Sequence, residues 1–173
     1  MTIQKFTKIC DGISEWTGRG AGWLIWPVMG LCVYEVIMRR FFGSPHIWSY
    51  EVTNIFYGAH FMILAAYALL YHSHVSIDIV VVRFAPRTQL ILSVINYVLF
   101  FFPFALVLLY VGMDSAVDSW KFGERTSIGL PFIYPIMKTL TPAAALLLLI
   151  QGLSEFAKML CPALKEKEKR HNG

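Results

Sequence analysis

The chain has 173 residues and a net charge of +4, and it is 57% hydrophobic and only 15% charged, against a usual charged share of about 25%. This balance leaves no material for a soluble catalytic or nucleotide-binding module. It also argues against a nucleic-acid partner: five of the fifteen basic residues (Lys158, Lys165, Lys167, Lys169 and Arg170) gather at the C-terminal end, where anionic lipid and membrane topology account for them.

Residues 3–16 place Ile3, Phe6, Ile9 or Cys10, Ile13 and Trp16 three or four apart, with Lys5, Lys8, Asp11 and Glu15 mostly between them. The spacing predicts an amphipathic helix, suited to the membrane surface or to a partner. The segment does not read as a cleaved signal peptide, because its apolar run begins late and carries no clear cleavage site. Gly18, Gly20 and Gly22 follow. Gly18 and Gly22 read more readily as a flexible hinge than as a helix-packing seam.

Four apolar stretches come next, at Gly20–Tyr34, Val52–Tyr71, Leu90–Met113 and Phe132–Ser154; three contain no Asp, Glu, Lys or Arg, and the fourth contains Lys138 alone. About 20 apolar residues in a helix cross the hydrocarbon layer, and a helix satisfies its backbone hydrogen bonds internally. The expected fold class is therefore an all-α integral membrane protein of four transmembrane helices with short interfacial amphipathic segments. Its expected parts are a cytoplasmic interfacial helix (1–19), a four-helix membrane domain (20–156) and a basic cytoplasmic tail (157–173). Pro27, Pro103 and Pro142 fall within spans, where kinks are expected. In the second span, Gly58 with Ala65 and Ala59 with Ala66 repeat small residues at heptad spacing, which predicts close packing on protein.

Alternate loops fall on alternate sides of the membrane. The side holding both termini and the second connection carries ten basic residues (Lys5, Lys8, Arg19, Arg83, Arg87 and the five above). The other side carries five, namely Arg39, Arg40, Lys121, Arg125 and Lys138. The asymmetry predicts cytoplasmic termini.

Polar chemistry sits in the connections. The first runs from Arg39 to Glu51; Gly43 and Pro45 break the helix, and Trp48 and Tyr50 suit the membrane interface. The second, from His72 through Asp78 to Pro86, encloses an apolar Ile79–Val82 and fits a short interfacial segment. The third, Asp114–Pro131, holds Asp118, Trp120, Lys121, Glu124 and Arg125. Glu35, Arg39, Arg40, Glu51, His74 and Asp78 are expected to form ion pairs or hydrogen bonds, because charge near lipid is costly unless paired or able to snorkel.

Enzyme chemistry is not indicated. No nucleophile–base set converges by spacing, no zinc-protease or phosphate-loop motif occurs, and Cys10, Cys32 and Cys161 show no metal-like or redox-like spacing. Haem ligation needs histidines facing one another within spans, and only His60 lies in one; an interhelical hydrogen bond is its expected role. A self-sufficient four-helix exporter acting as a homodimer is the alternative from another class. It requires a membrane-embedded carboxylate, and Glu35, the one candidate, stands one turn from Arg39, as an interfacial i,i+4 pair would.

Tyr34-Glu35-Val36 with Arg39-Arg40-Phe41-Phe42-Gly43, Pro45, Trp48 and Glu51 resembles the first-connection signature of the small, DctQ-type membrane subunit of tripartite ATP-independent periplasmic (TRAP) transporters. His74-Val75 followed by Ile77-Asp78 is similar to that family's motif after the second span. Ser119-Trp120, Gly123-Glu124, Leu130-Pro131, Pro135, Lys138, Pro142 and Gln151-Gly152 continue the likeness, which covers about Gly22 to Gly152. Ser76 sits where many members carry a basic or small residue, which leaves the likeness intact.

The resemblance implies a bacterial inner-membrane subunit that scaffolds a large transport subunit. The large subunit imports an organic acid or related small solute, delivered by a periplasmic substrate-binding protein, and is driven by a sodium gradient. Sodium coupling is then expected in the large subunit, with no cofactor in this chain. Trp48 joins the polar residues of the first two connections as an expected anchor or large-subunit contact, and His46, Lys121, Glu124 and Arg125 are the expected docking candidates for the binding protein.

Overall fold

Apolar side chains cover entire helical circumferences in four places, so no single face is left to define a water-facing surface. The computed structural model describes residues 2–44, 46–71, 86–126 and 131–160. Helix α1 runs Thr2–Gly22, α2 Ile25–Phe41, α3 Ile47–Leu70, α4 Pro86–Asn96, α5 Phe102–Phe122 and α6 Ile133–Leu160, with a π-helical turn at Tyr97–Phe101 joining α4 to α5. Four helical stretches are long and apolar enough to cross a membrane: 5–41, 47–70, 88–122 and 133–160. Among the described residues, the regular structure outside these helices is one isolated bridge between Arg125 and Pro131.

Helix α6 is central, packing on α1, α3 and α5, while α2 packs chiefly on α3. The seams are built from small residues. Ala59, Ala66, Ala105, Ala116, Ala144 and Ala145 are all buried, and Ala66, Leu69 and Leu148 form a core flanked by Ala65, Phe101 and Leu147. Between lipid-exposed helices close approach of backbones is the main source of packing energy. Gly112 shows it: a methyl group there would lie 3.2 Å from the Pro142 ring. The outward residues of α2, among them Trp26, Val33 and Val36, are exposed. Hydrocarbon covers such residues without cost.

Several expectations change. Gly18 is no hinge: it lies inside α1, and a Cβ there would run into the Tyr67 ring. The break comes at Trp23–Leu24, where Trp23 N–H and Leu24 N–H bond the carbonyls of Gly20 and Ala21, three residues back, at 3.2 and 3.0 Å. Pro27 consequently falls in the first turn of α2, where its missing N–H costs little. Pro103 follows the π turn, in which Phe102 N–H reaches back five residues to the Tyr97 carbonyl; widening the helix there gives the proline ring room.

The first and third connections are shorter than expected. Arg39 and Arg40 form the last turn of α2, favourable for cations at a helix C-terminus, and Gly43 (φ 62°) turns the chain. Helix α5 continues past Asp114 and Asp118 to Phe122, because nothing in that stretch breaks a helix until Gly123 (φ 57°). There Gly123 N–H bonds the Ser119 carbonyl, as in an αL cap, and Glu124 N–H bonds the same carbonyl, the longer bond of a Schellman cap.

Candidate functional site

Three polar clusters stand at the ends of the bundle. The first joins α2 to α3. Glu35, with 18% of its side chain exposed, accepts the His46 backbone N–H at 3.3 and 3.4 Å, while the exposed Arg39 guanidinium lies 3.7 Å away. The Tyr34, His46 and Trp48 rings stand about 6 Å apart in a mutual cluster. Glu35 therefore fixes the short turn more than it pairs with Arg39, since an exposed pair at that distance contributes little. Arg40 is exposed and Glu51 is half-buried, with Oε2 shielded and without a hydrogen bond. His74 and Asp78, and the interfacial segment expected around them, lie outside the described residues.

The second cluster closes α5 onto α6. Lys138 donates to Glu124 at 2.6 Å and Ser119 donates to the same oxygen at 2.7 Å. The Lys138 ammonium, and after it the Ser119 hydroxyl, hold the Glu124 carboxyl below its ordinary range. Trp120 Nε1–H donates to Thr139 at 3.0 Å, and its ring stands 6.2 Å from that of Phe132. Glu124, Arg125, Tyr134 and Lys138 line an open depression here. Of the four docking candidates, Lys121 and Arg125 are exposed, Glu124 is engaged within the chain, and His46 is half-buried beside Tyr34 and Trp48.

The third cluster was not anticipated. Lys158, assigned by sequence to the basic tail, lies in α6 with 9% of its side chain exposed, 2.8 Å from Asp11 and 2.9 Å from Glu155. Gln151 donates to Asp11 and Glu155 at 3.1 and 3.2 Å, and Ser154 donates to Asp11 at 2.9 Å. Asp11 thus belongs to an inward seam rather than to a solvated face of α1. The signal was present in the spacing: Gln151, Ser154, Glu155 and Lys158 fall at i, i+3, i+4 and i+7, one polar stripe on an apolar helix.

In the spans, His60 Nδ1 lies 2.8 Å from the Ala21 carbonyl, the interhelical bond expected of it, and it links α3 to the end of α1. The small-residue repeat divides: Ala59 and Ala66 are buried, Ala65 is half-buried against the core, and Gly58 has open space where a side chain would stand. Among the described residues no group of His, Cys, Asp and Glu is arranged to hold a metal ion.

No curated protein matches the chain. Residues 28–161, most of its length, match the family described as tripartite ATP-independent periplasmic transporters, DctQ component. The matched region contains every residue of the first two polar clusters and all of α3, α4, α5 and α6; of the third cluster it leaves out Asp11, in α1. A four-span helical bundle matched over that length is the small permease subunit of a TRAP transporter, and the chain belongs to the DctQ family.

Proposed function

We propose that the chain is a stationary scaffold for the large membrane subunit of its transporter and adds to the surface on which the periplasmic binding protein docks. The observation that carries the reading is where the polar side chains go. Glu124, Lys138, Asp11, Lys158 and His60 are each engaged in a link between elements of this chain, Glu155 is paired with Lys158 within α6, and the three clusters stand at bundle ends. A carrier of a polar solute builds polar, often discontinuous helices at the midplane. In this reading the large subunit moves an organic acid or related solute with sodium, no cofactor resides in this chain, and both termini are cytoplasmic in the inner membrane.

The test is reconstitution of the large subunit with and without this chain, with binding protein and a sodium gradient. Uptake that needs all three components supports the scaffold. Sodium-driven uptake unaffected by omitting the chain would remove it, and solute flux through vesicles holding this chain alone would establish the homodimeric exporter instead.

A further inference from the structure

Helix α1 is arranged inside out for a helix packed on a protein core. Thr7, Cys10, Ser14, Gly18 and Ala21 are buried, and Asp11 turns inward to Gln151, Ser154 and Lys158. The large apolar residues point the other way: Phe6 is 47% exposed, Ile9 63%, Ile13 40% and Trp16 81%. At 3.6 residues per turn these four form one strip. Lys5, Lys8 and Arg19 run along one edge of it, all exposed. Arg19 is tied to Glu15 at 2.6 Å. With Asp11 withdrawn to Lys158, Lys5, Lys8 and Arg19 against Glu15 give the outer surface a net charge of +2.

We propose that α1 seats this outer face in an anionic phospholipid surface, with Phe6, Ile9, Ile13 and Trp16 among the acyl chains and Lys5 and Lys8 at the lipid phosphates. Two observations select lipid. The charge is complementary, since an apolar strip edged by lysines is the composition of helices that lie in anionic interfaces. The strip is also continuous with the membrane: only Trp23 and Leu24 separate α1 from α2, and Trp23 and Trp26 are 74% and 64% exposed at that junction. The polar seam has a further consequence. By drawing Asp11 out of the outer face, Lys158 makes that face more basic than the sequence of α1 suggests.

The experiment uses the full chain in bilayers of mixed phosphatidylcholine and phosphatidylglycerol, with bromine on the acyl chains of one lipid at a time. Trp16 quenching is isolated by subtracting the Trp16→Phe variant. Phosphatidylglycerol should be preferred around Trp16 by up to roughly thirtyfold, the combined effect of two lysines near an anionic surface. High salt, or Lys5→Gln with Lys8→Gln, should bring the preference close to parity while helix content and thermal stability stay unchanged. Absence of quenching by either lipid would overturn the proposal, because the strip would then face water. Equal quenching by both lipids would overturn the anionic preference. Quenching that vanishes when the large subunit is added would assign the strip to that protein.

Discussion

The Lys158 ammonium lies 2.8 Å from the Asp11 carboxylate, joining a residue near one end of the chain to the last turn of α6. Glu155 takes a second side of the same ammonium at 2.9 Å and is 4% exposed. Two carboxylates around one cation in a poorly solvated seam make that cation hard to remove. Lys158→Met would strand both, at a cost of about 3 kcal/mol or more. Ser154→Ala deletes one hydrogen bond, worth about 1 kcal/mol or less between membrane helices. Thermal unfolding in detergent should rank Lys158→Met well below Ser154→Ala. Combining Lys158→Met with Asp11→Asn and Glu155→Gln should recover part of the loss, because no charge is then left unpaired. Equal stability of Lys158→Met and wild type would show that the seam does not hold α1.

Glycine contacts give a second prediction that separates the chain's own seams from its surfaces. A Cβ at Gly18 would overlap Tyr67, and one at Gly152 would overlap Phe101. Gly18→Ala and Gly152→Ala should each destabilise the isolated chain by about 1–3 kcal/mol, the usual range for overpacking. Gly58 has open space before it, so Gly58→Leu should leave the isolated chain unchanged. If α3 meets the large subunit along this line, Gly58→Leu should lower co-purification of the two. Full recovery of the complex would free that face from the interface.

Acid should act on the α5–α6 closure. The Lys138 and Ser119 bonds lower the Glu124 pKa below its ordinary value of 4.5. A depressed carboxyl pKa stabilises the fold at pH above that ordinary value, and the contribution is lost as pH falls through the depressed one. Between neutral pH and about 5, the melting temperature should therefore not depend on this group. Below about 4.5 wild type should lose stability more steeply than Glu124→Gln, which has no charge to lose. Parallel acid curves for the two proteins would show that the Glu124–Lys138 bond does not stabilise the closure.

The four spans were legible because hydropathy acts over about 20 residues and needs no knowledge of neighbours. The α1 amphipathic pattern was legible for the same reason, but its orientation was not. Periodicity shows which residues share a face; it does not show that Asp11 turns toward α6 and Ser14 is buried while Trp16 turns away. Span ends depended on single residues. Asp114 and Asp118 suggested a loop, yet Asp is only mildly unfavourable in a helix, and Gly123 was the effective stop. Gly18 looked like a hinge because a glycine's value as a contact depends on what faces it, here Tyr67 on a helix far along the chain. Lys158 was counted with the tail lysines for topology, although its spacing from Gln151, Ser154 and Glu155 marked a stripe.

Docking of the binding protein is the remaining expectation that the geometry sharpens. Glu124 is held by Lys138 and Ser119, and His46 is half-buried beside Tyr34 and Trp48, which leaves Lys121 and Arg125 as the exposed charges among the four candidates. Lys121 lies in the last turn of α5 and Arg125 follows its glycine cap, bridged to Pro131, so both project from a braced corner. Charges at the rim of a transient interface act mainly on association and its salt dependence. Lys121→Glu with Arg125→Glu should therefore raise the binding-protein concentration needed for half-maximal uptake on the order of tenfold at low salt, and less at high salt. Maximal uptake and the affinity of the binding protein for its solute should not change. A three-component uptake assay titrated with binding protein reads all of these. Uptake equal to wild type at every concentration and salt level would exclude the corner from the docking surface, while a lowered maximum that excess binding protein cannot restore would place the defect in assembly with the large subunit.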